Sequence, residues 1–368
     1  MSLDAVVIGA GPAGLATSHE LARRGMEHVV LERGGEVGHT WANLYDSLTL
    51  HTGKHMSALP GRRFSRGTPL FVPRGVFWEY LRDYAGGFGL PVRTGAEVTR
   101  VSRSSGGWRV DSAAGAFDAR AVVIATGIVA NPIEPEIPGR DRFRGRVTHS
   151  VHYRRPDAYV GRRVLVVGVG NSGAEIGSEI ARSGGQVTVS VRSGAHVVPL
   201  SIAGVPIQYV AFWVRKLPRP LQEALTAGVA RLTELRRGPP VLPRPGHSPL
   251  DAIPLIGFRL VDEIRSGRVA VVPGIAGFTE RGARFSNGDE REFDDVILAT
   301  GFRAALGILA PPARRDAKGF AIRSDRVTSA EQPGLYFVGH NYDATGGLYN
   351  IARDAPLAAE RVANQARG

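Results

Sequence analysis

Apolar and polar positions follow two rhythms along this chain, and the same succession occurs twice. Leu3–Ile8 is an apolar run broken only by Asp4, the pattern of a strand buried on both faces of a parallel sheet. A glycine-rich stretch follows, then residues 15–25 in helical spacing, then a second short apolar run at His28–Leu31. Strand, glycine loop, helix and strand return at Arg163–Val167, Gly168–Gly173, residues 174–185 and Gln186–Val191. This order predicts an α/β fold with two Rossmann-like dinucleotide-binding domains.

The remaining pattern fills in around these two halves. Phe77–Tyr84 has the spacing of a short amphipathic helix. Val92–Thr94, Glu97–Val101, Trp108–Asp111 and Phe117–Ala119 read as short antiparallel strands separated by turn residues. Ala121–Ala125 is again a buried strand and runs into Thr126-Gly127; Asp295–Ala299 runs into Thr300-Gly301 in the same way. The two Ala-Thr-Gly sequences are expected to be crossings between domains. Gly334–Val338 is a last apolar strand before Gly339-His340. Asp343 and the turn 345–347 lead into a C-terminal helix, Leu348–Ala363. The expected division is residues 1–157 for a first domain, 158–300 for an inserted one, and 301–368 returning to the first. Residues 205–236 are apolar with helical spacing and are divided by Pro218 and Pro220. With Trp213, Arg215 and Lys216 in it, this segment has three readings: a helix on a membrane surface, a cover for a substrate channel, or the face of a homodimer.

Composition narrows the class. A chain of 368 residues is too long for one core, and its 43% hydrophobic and 22% charged residues are ordinary for a globular protein. No apolar run approaches the length of a membrane span, and Asp4 stands where a secretion signal would be basic, so a cytoplasmic location without an integral membrane segment is expected. The net charge of +12 comes from arginine, since only Lys54, Lys216 and Lys318 are lysines. The cations are scattered, and no nucleic-acid motif accompanies them. There is no cysteine. Electron transfer through a Cys-x-x-Cys disulfide and thiolate ligation of an iron–sulfur cluster are therefore both excluded.

The loops carry the candidate chemistry. In Gly9-Ala10-Gly11-Pro12-Ala13-Gly14, Gly9 is expected to make the tight turn, Gly11 to admit pyrophosphate to the backbone, and Gly14 to let the helix pack on the strand. Pro12 and Ala13 open the helix, whose N-terminus favours an anion. Glu32, with Arg33 beside it, ends the second strand. A carboxylate there accepts from ribose hydroxyls and repels a 2′-phosphate, which suits FAD or NAD(H). In the second loop, Gly168, Gly170 and Gly173 repeat the glycine spacing around Asn171 and Ser172. Arg192, followed by Ser193, stands about where Glu32 stood. A guanidinium there accommodates a 2′-phosphate, so this site is expected to take NADPH.

Between the loops lies FRGRVTHSVHY, Phe143 to Tyr153, of the form Phe-x-Gly-x-x-x-His-x-x-x-Tyr. It resembles the fingerprint of class B flavin-dependent monooxygenases, and Tyr153 in place of Trp points to the YUCCA-like and flavin-containing monooxygenase branches. Gly38-His39-Thr40-Trp41 resembles the family's Gly-Gly-Thr-Trp segment along FAD, with His39 departing from the second glycine. Leu44 to Gly61 and Val191 to Pro199 resemble YUCCA segments, as does the stretch from Ser248 to Ile275, so the likeness runs from Gly9 to Ala359.

The resemblance implies FAD in the first domain and NADPH in the inserted one. It implies His51 beside the flavin ring, with a plain structural histidine as the other reading. It further implies Val98 near the adenine, Asn171 reaching toward the flavin, Ser172 toward pyrophosphate, and Ala125, Thr126, Gly127, Thr300, Gly301, Gly339, Asp343 and Leu348 along the cofactors. The implied reaction is NADPH- and O2-dependent oxygenation of a small organic substrate through a C4a-(hydro)peroxyflavin, either oxidative decarboxylation of a 2-oxo acid or N- or S-oxygenation. The alternatives are an NADPH-dependent flavin reductase or electron relay without oxygen transfer, and a non-catalytic nucleotide sensor.

Overall fold

The computed structural model describes residues 2–129, 131–343 and 345–367. The chain folds as two units, Met1–Asn131 with Phe302–Gly368, and Pro132–Gly301.

In the first unit one sheet carries the architecture. Its order is Leu309–Ala310, Val98–Ser104, Gly107–Ser112, Gly115–Ile124, Leu3–Ile8, His28–Leu31 and Val92–Arg93, and Leu335–Phe337 also pairs with Gly115–Ile124. Leu3–Ile8 runs parallel to both of its neighbours, with Ala5 opposite His28 and Ala121. Its side chains alternate between two cores. Ala5 and Val7 pack with the helices Pro12–Ala22, Arg74–Gly87 and Gly347–Arg367, while Val6 and Ile8 pack with Val98, Trp108 and Val110 of the antiparallel meander. That double burial is why the strand reads as a continuous apolar run.

Two expected elements come out differently. Phe117–Ala119 and Ala121–Ala125 are parts of a single strand, Gly115–Ile124. Its first half pairs antiparallel with Gly107–Ser112 and exposes alternate residues; its second half is buried. The exposed Arg120 interrupted the apolar pattern without interrupting the strand. Val92–Arg93 pairs parallel, not antiparallel, with Val30 and Leu31.

The second unit is built on a five-stranded parallel sheet, in the order Val269–Pro273, Gln186–Val191, Arg163–Val167, Asp295–Leu298, Arg146–His149. A three-stranded antiparallel sheet, Ile275–Phe278, Gly282–Phe285 and Glu290–Glu292, shares its core through Phe278, Ala283 and Phe285. Residues 132–157 fold with this unit, upstream of the 157/158 division expected from the sequence. Arg146–His149 is its edge strand, and Phe143 stacks on Phe278 at 5.1 Å.

A long excursion leaves and rejoins this unit at one place. Val197–Val198 pairs in parallel with Leu255–Ile256. Between them lie the helices Ile207–Val214 and Arg219–Arg237, divided at Pro218 as expected. Arg219–Arg237 buries none of its residues, and Leu221, Leu225, Leu232 and Leu235 are exposed. Among the described residues no helix is long and apolar enough to cross a membrane.

Ion pairs fix the end of the parallel sheet where strands enter. Asp295, almost wholly buried, accepts from Arg146 Nε at 2.8 Å and also from Arg162 Nε. Asp294 Oδ2 accepts from Arg163 N–H at 2.8 Å, and its Oδ1 from Arg163 Nη2 at 2.8 Å. The Arg163 side chain and backbone N–H hold the Asp294 carboxyl down at about 2. A depressed carboxylate contributes stability that is complete above its unfolded value near 3.8 and is lost as pH falls through about 2. Asp294→Asn should cost about 1–2 kcal/mol at neutral pH, allowing for partial solvent screening. Thermal unfolding at neutral pH and at stepped acid pH measures this. The variant should melt lower than the parent at neutral pH, and the gap should close as the acid limit is reached.

Candidate active site

The first glycine loop shows why each of its residues is what it is. Gly9 has φ 105°, and a Cβ on it would lie 2.6 Å from the Ala125 carbonyl oxygen. A Cβ on Gly14 would lie 1.8 Å from the Gly9 carbonyl, so the helix can approach the loop only without a side chain there. Around Gly11 the space is open, with nothing within 4 Å of an added Cβ. Pro12 begins the helix, and no side chain caps its start. The loop therefore offers an open backbone face and an uncapped helix N-terminus, the arrangement that receives a pyrophosphate.

Several expected residues converge on this loop. Glu32 is buried at the end of its strand; its Oε2 accepts from Ala10 N–H and its Oε1 from Gly34 N–H, both at 2.8 Å. Gly38, at φ 68°, donates its N–H to the Ala10 carbonyl at 3.0 Å. A Cβ on Gly339, at φ 86°, would meet the Ala13 Cβ at 3.4 Å. Ala125 donates its N–H to the Ile8 carbonyl at 2.9 Å. Val98 opens its strand just after Ala96, whose N–H donates to the Glu32 carbonyl at 2.8 Å. Arg33 points into solvent. Thr40 and Trp41 are half-buried in the short helix His39–Ala42, with the Trp41 ring edge-on to Phe77 at 4.5 Å. His39, which stands where the resembling families carry a second glycine, places its ring 2.2 Å from where a Cβ on Gly34 would be. The lost glycine is thus balanced by a glycine five residues earlier.

His51 is half-buried in the strand Thr49–Gly53. The neighbouring Thr52 methyl lies 2.5 Å from where a Cβ on Gly346 would be, so this strand abuts the start of the helix Gly347–Arg367. Asp343 shapes that start: its Oδ1 accepts from Thr345 N–H at 2.9 Å, from the Thr345 hydroxyl, and from Asn350 Nδ2 at 3.1 Å. The expectation that Asp343 lies along the cofactor meets a carboxylate oxygen already engaged in building the turn. Leu348 is buried in the helix-side core.

His340 had no assigned role and is 3% exposed. Phe337 and Phe320 flank the ring at 5.1 and 5.6 Å. Burial, and then the Arg323 charge, push its pKa down to about 4, so the ring is neutral at ordinary pH. The sequence signal was a polar ring directly after a buried strand and a glycine.

The second unit repeats the first loop almost contact for contact. Gly168 has φ 104°, and its Cβ would lie 2.5 Å from the Ala299 carbonyl; a Cβ on Gly173 would lie 2.2 Å from the Gly168 carbonyl; Gly170 is open. The helix Asn171–Arg182 starts without a side-chain cap, and Ser172 is half-buried in its first turn. Asn171 was expected to reach toward the flavin. Its amide is instead held locally: Oδ1 accepts from Ile256 N–H at 2.8 Å, and Nδ2 donates to the Pro254 carbonyl at 3.2 Å. Arg192 and Ser193 follow Gln186–Val191 and are exposed. Arg192 makes no ion pair among the described residues.

The fingerprint residues form a brace within the second unit. A Cβ on Gly145 would strike the Phe143 ring at 2.3 Å and the Asp294 carbonyl at 2.7 Å. His149 is buried and accepts from Val151 N–H at Nδ1; burial dominates and lowers its pKa. The Tyr153 hydroxyl donates to Glu179 Oε2 at 2.8 Å, on the helix that follows the second glycine loop. The two Ala-Thr-Gly turns match as well. The Thr126 hydroxyl donates to the Ala305 carbonyl at 3.1 Å, and the Thr300 hydroxyl to the Ile133 carbonyl at 2.5 Å. Gly127 and Gly301 follow at φ 67° and 90°.

Both loops thus fit a dinucleotide. Each has an open glycine where pyrophosphate approaches and an uncapped helix start after it. Among the described residues no cluster of three or more His, Cys, Asp or Glu could hold a metal ion.

Comparison with known proteins agrees with this architecture. The family Pyridine nucleotide-disulphide oxidoreductase matches residues 6–201. Indole-3-pyruvate monooxygenase YUCCA1 of Oryza sativa subsp. japonica is 33% identical over 376 residues, covering 97% of this chain and 91% of the relative. Probable indole-3-pyruvate monooxygenase YUCCA1 of Arabidopsis thaliana is 34% identical over 381 residues, covering 98% and 90%. Among solved structures, a flavin-containing monooxygenase from Stenotrophomonas maltophilia superposes with a TM-score of 0.77 at 26% identity over 98% of each chain. Open cyclohexanone monooxygenase, at 20% identity and a TM-score of 0.77, covers 100% of this chain and 88% of its own, and shares the fold. With two open glycine loops, no cysteine for disulfide chemistry, and full-length likeness to monooxygenases, the chain belongs to the YUCCA-like flavin-dependent monooxygenases and is an FAD enzyme that uses NADPH and O2 to oxygenate a small molecule.

Proposed function

We propose that the first unit holds FAD, that the second holds NADPH, and that the organic substrate is a 2-oxo acid undergoing oxidative decarboxylation. The carrying observation is the contrast at the ends of two equivalent strands. Glu32 is a buried carboxylate braced by two backbone amides, and Arg192 is an exposed guanidinium. The first suits a ribose with free hydroxyls and the second a ribose bearing a 2′-phosphate. The 2-oxo acid follows from the full-length likeness to relatives named for indole-3-pyruvate.

When bound, FAD supplies hydride acceptance from NADPH and activation of O2. The residues of this chain do the rest. The open backbone at Gly11 and Gly170, with the helix starts after them, receives the two pyrophosphates. Glu32 fixes the flavin-side ribose, and Arg192 pairs with the 2′-phosphate. His51, on the strand beside Gly346, supplies a hydrogen bond at the reacting edge of the flavin ring. Asn171 acts indirectly, keeping the backbone at Pro254 and Ile256 against the second loop. Across the whole reaction the 2-oxo acid, O2, NADPH and a proton give the shortened carboxylic acid, CO2, water and NADP+.

Indole-3-pyruvate supplied with NADPH and O2 should release CO2 in step with NADPH oxidation, and one atom of labelled O2 should enter the new carboxylate. Oxygenation of an amine or a sulfide in preference, with no CO2 from the 2-oxo acid, would remove this assignment. Arg192→Ala should raise the KM for NADPH by about tenfold or more and leave that for NADH unchanged, because a charge-assisted contact of about 1.5–3 kcal/mol is lost; equal changes for both coenzymes would refute the placement of the 2′-phosphate. His51→Ala should retain FAD and still oxidise NADPH, but yield less product and more peroxide per NADPH. Unchanged coupling would return His51 to a structural part.

A further inference from the structure

The helix Ile207–Val214 is oriented against its own composition. Its sequence is IQYVAFWV, and its one buried residue is Gln208, 2% exposed. In the same helix Trp213 is 66% exposed. Neither Nε2 nor Oε1 of Gln208 has a hydrogen-bond partner among the described residues. A buried amide without a partner destabilises the fold, and native structures hold few of them. An apolar residue of similar size would remove that cost and suit the rest of the helix.

The backbone before the helix holds Gln208 in this direction. Ser201–Ile202 and Val205–Pro206 form a hairpin, and Ile207 N–H donates to the Leu200 carbonyl at 3.1 Å. The hairpin turn places Ala203, not a glycine, in the left-handed region at φ 48°. Such strain, next to an unmatched buried amide, concentrates where a ligand is handled.

We propose that Gln208 is a ligand-reading residue of the second unit, and that its amide takes a planar group presenting an acceptor and a donor on neighbouring atoms, the chemistry of a primary carboxamide. Nε2 donates to the ligand oxygen while Oε1 accepts from the ligand N–H, so one group satisfies both orphaned atoms. The nicotinamide head of NADPH is such a group, and this rests on the second unit being the NADPH unit. Arg192 reads the opposite end of the coenzyme, so failure of that placement shows in the NADPH-against-NADH comparison and not in the measurement below.

The test uses the FAD-loaded enzyme and two variants, Gln208→Leu and Gln208→Met, the second retaining an unbranched chain in case the first does not fold. Dissociation constants are measured for NADP+ and for its 3-acetylpyridine analogue, whose amide nitrogen is replaced by methyl. The parent should favour NADP+ over the analogue by about tenfold or more, and the variants should lose that preference, because a site built to pair with an N–H discriminates strongly against its absence. Both variants should melt no lower than the parent, since they remove an unpaired buried amide. Variants that fold and leave the coenzyme preference within about twofold of the parent overturn the proposal.

Discussion

Two carbonyl oxygens, those of Ala125 and Ala299, decide where both dinucleotide loops begin. Each lies about where the first glycine of its loop would carry a Cβ, at 2.6 and 2.5 Å, so no other residue fits at Gly9 or Gly168. Each alanine also donates its N–H to the last residue of the strand before the loop, to Ile8 at 2.9 Å and Val167 at 2.8 Å. The same alanines begin the Ala-Thr-Gly turns at which the chain passes from one unit to the other. The turn that switches units and the turn that cradles a phosphate are therefore one construction, made twice. A shift in either crossing strand would move the loop beside it.

The two sites built this way differ in how charge is kept. A carboxylate can be buried when hydrogen bonds satisfy it, and Glu32 has a backbone amide on each oxygen. It is therefore positioned before any ribose arrives. A guanidinium with no acid beside it is costly to bury, and Arg192 stays in solvent. The first site is preorganised and suits a cofactor retained through many turnovers. The second presents its charge on the surface, which suits a coenzyme that comes and goes.

What the sequence made legible is what depends on backbone periodicity. Both glycine loops, the strands before them, the helices after them and the proline division at Pro218 stand where the pattern put them. The edge strand Arg146–His149 did not show because RVTH holds a single apolar residue and belongs to a linker by position. The division of units moved upstream for the same reason. The antiparallel sheet 275–292 was missed because its exposed strand, Glu290–Glu292, carries no apolar signal. Side-chain direction was the other gap. Residue type suggested polar atoms of Asn171 and Asp343 turned to a cofactor, and only the fold shows that they bond to neighbouring backbone. Nor could spacing reveal that the ring of His39 occupies the room left by Gly34.

The excursion between Val198 and Leu255 is closed at its base by a clasp of two residue pairs and by both ends of the Asn171 amide. What lies beyond the clasp is rooted in the second glycine loop through Asn171 and is tied back to the unit by Arg237 to Asp262 and by Arg265 to the Pro239 carbonyl. Lengthening or rewriting such a closed loop changes its closure entropy only slowly. Replacement, unlike lengthening, would have to supply new partners for the Asn171 amide, Asp262 and Arg265 before the loop beside them kept its backbone.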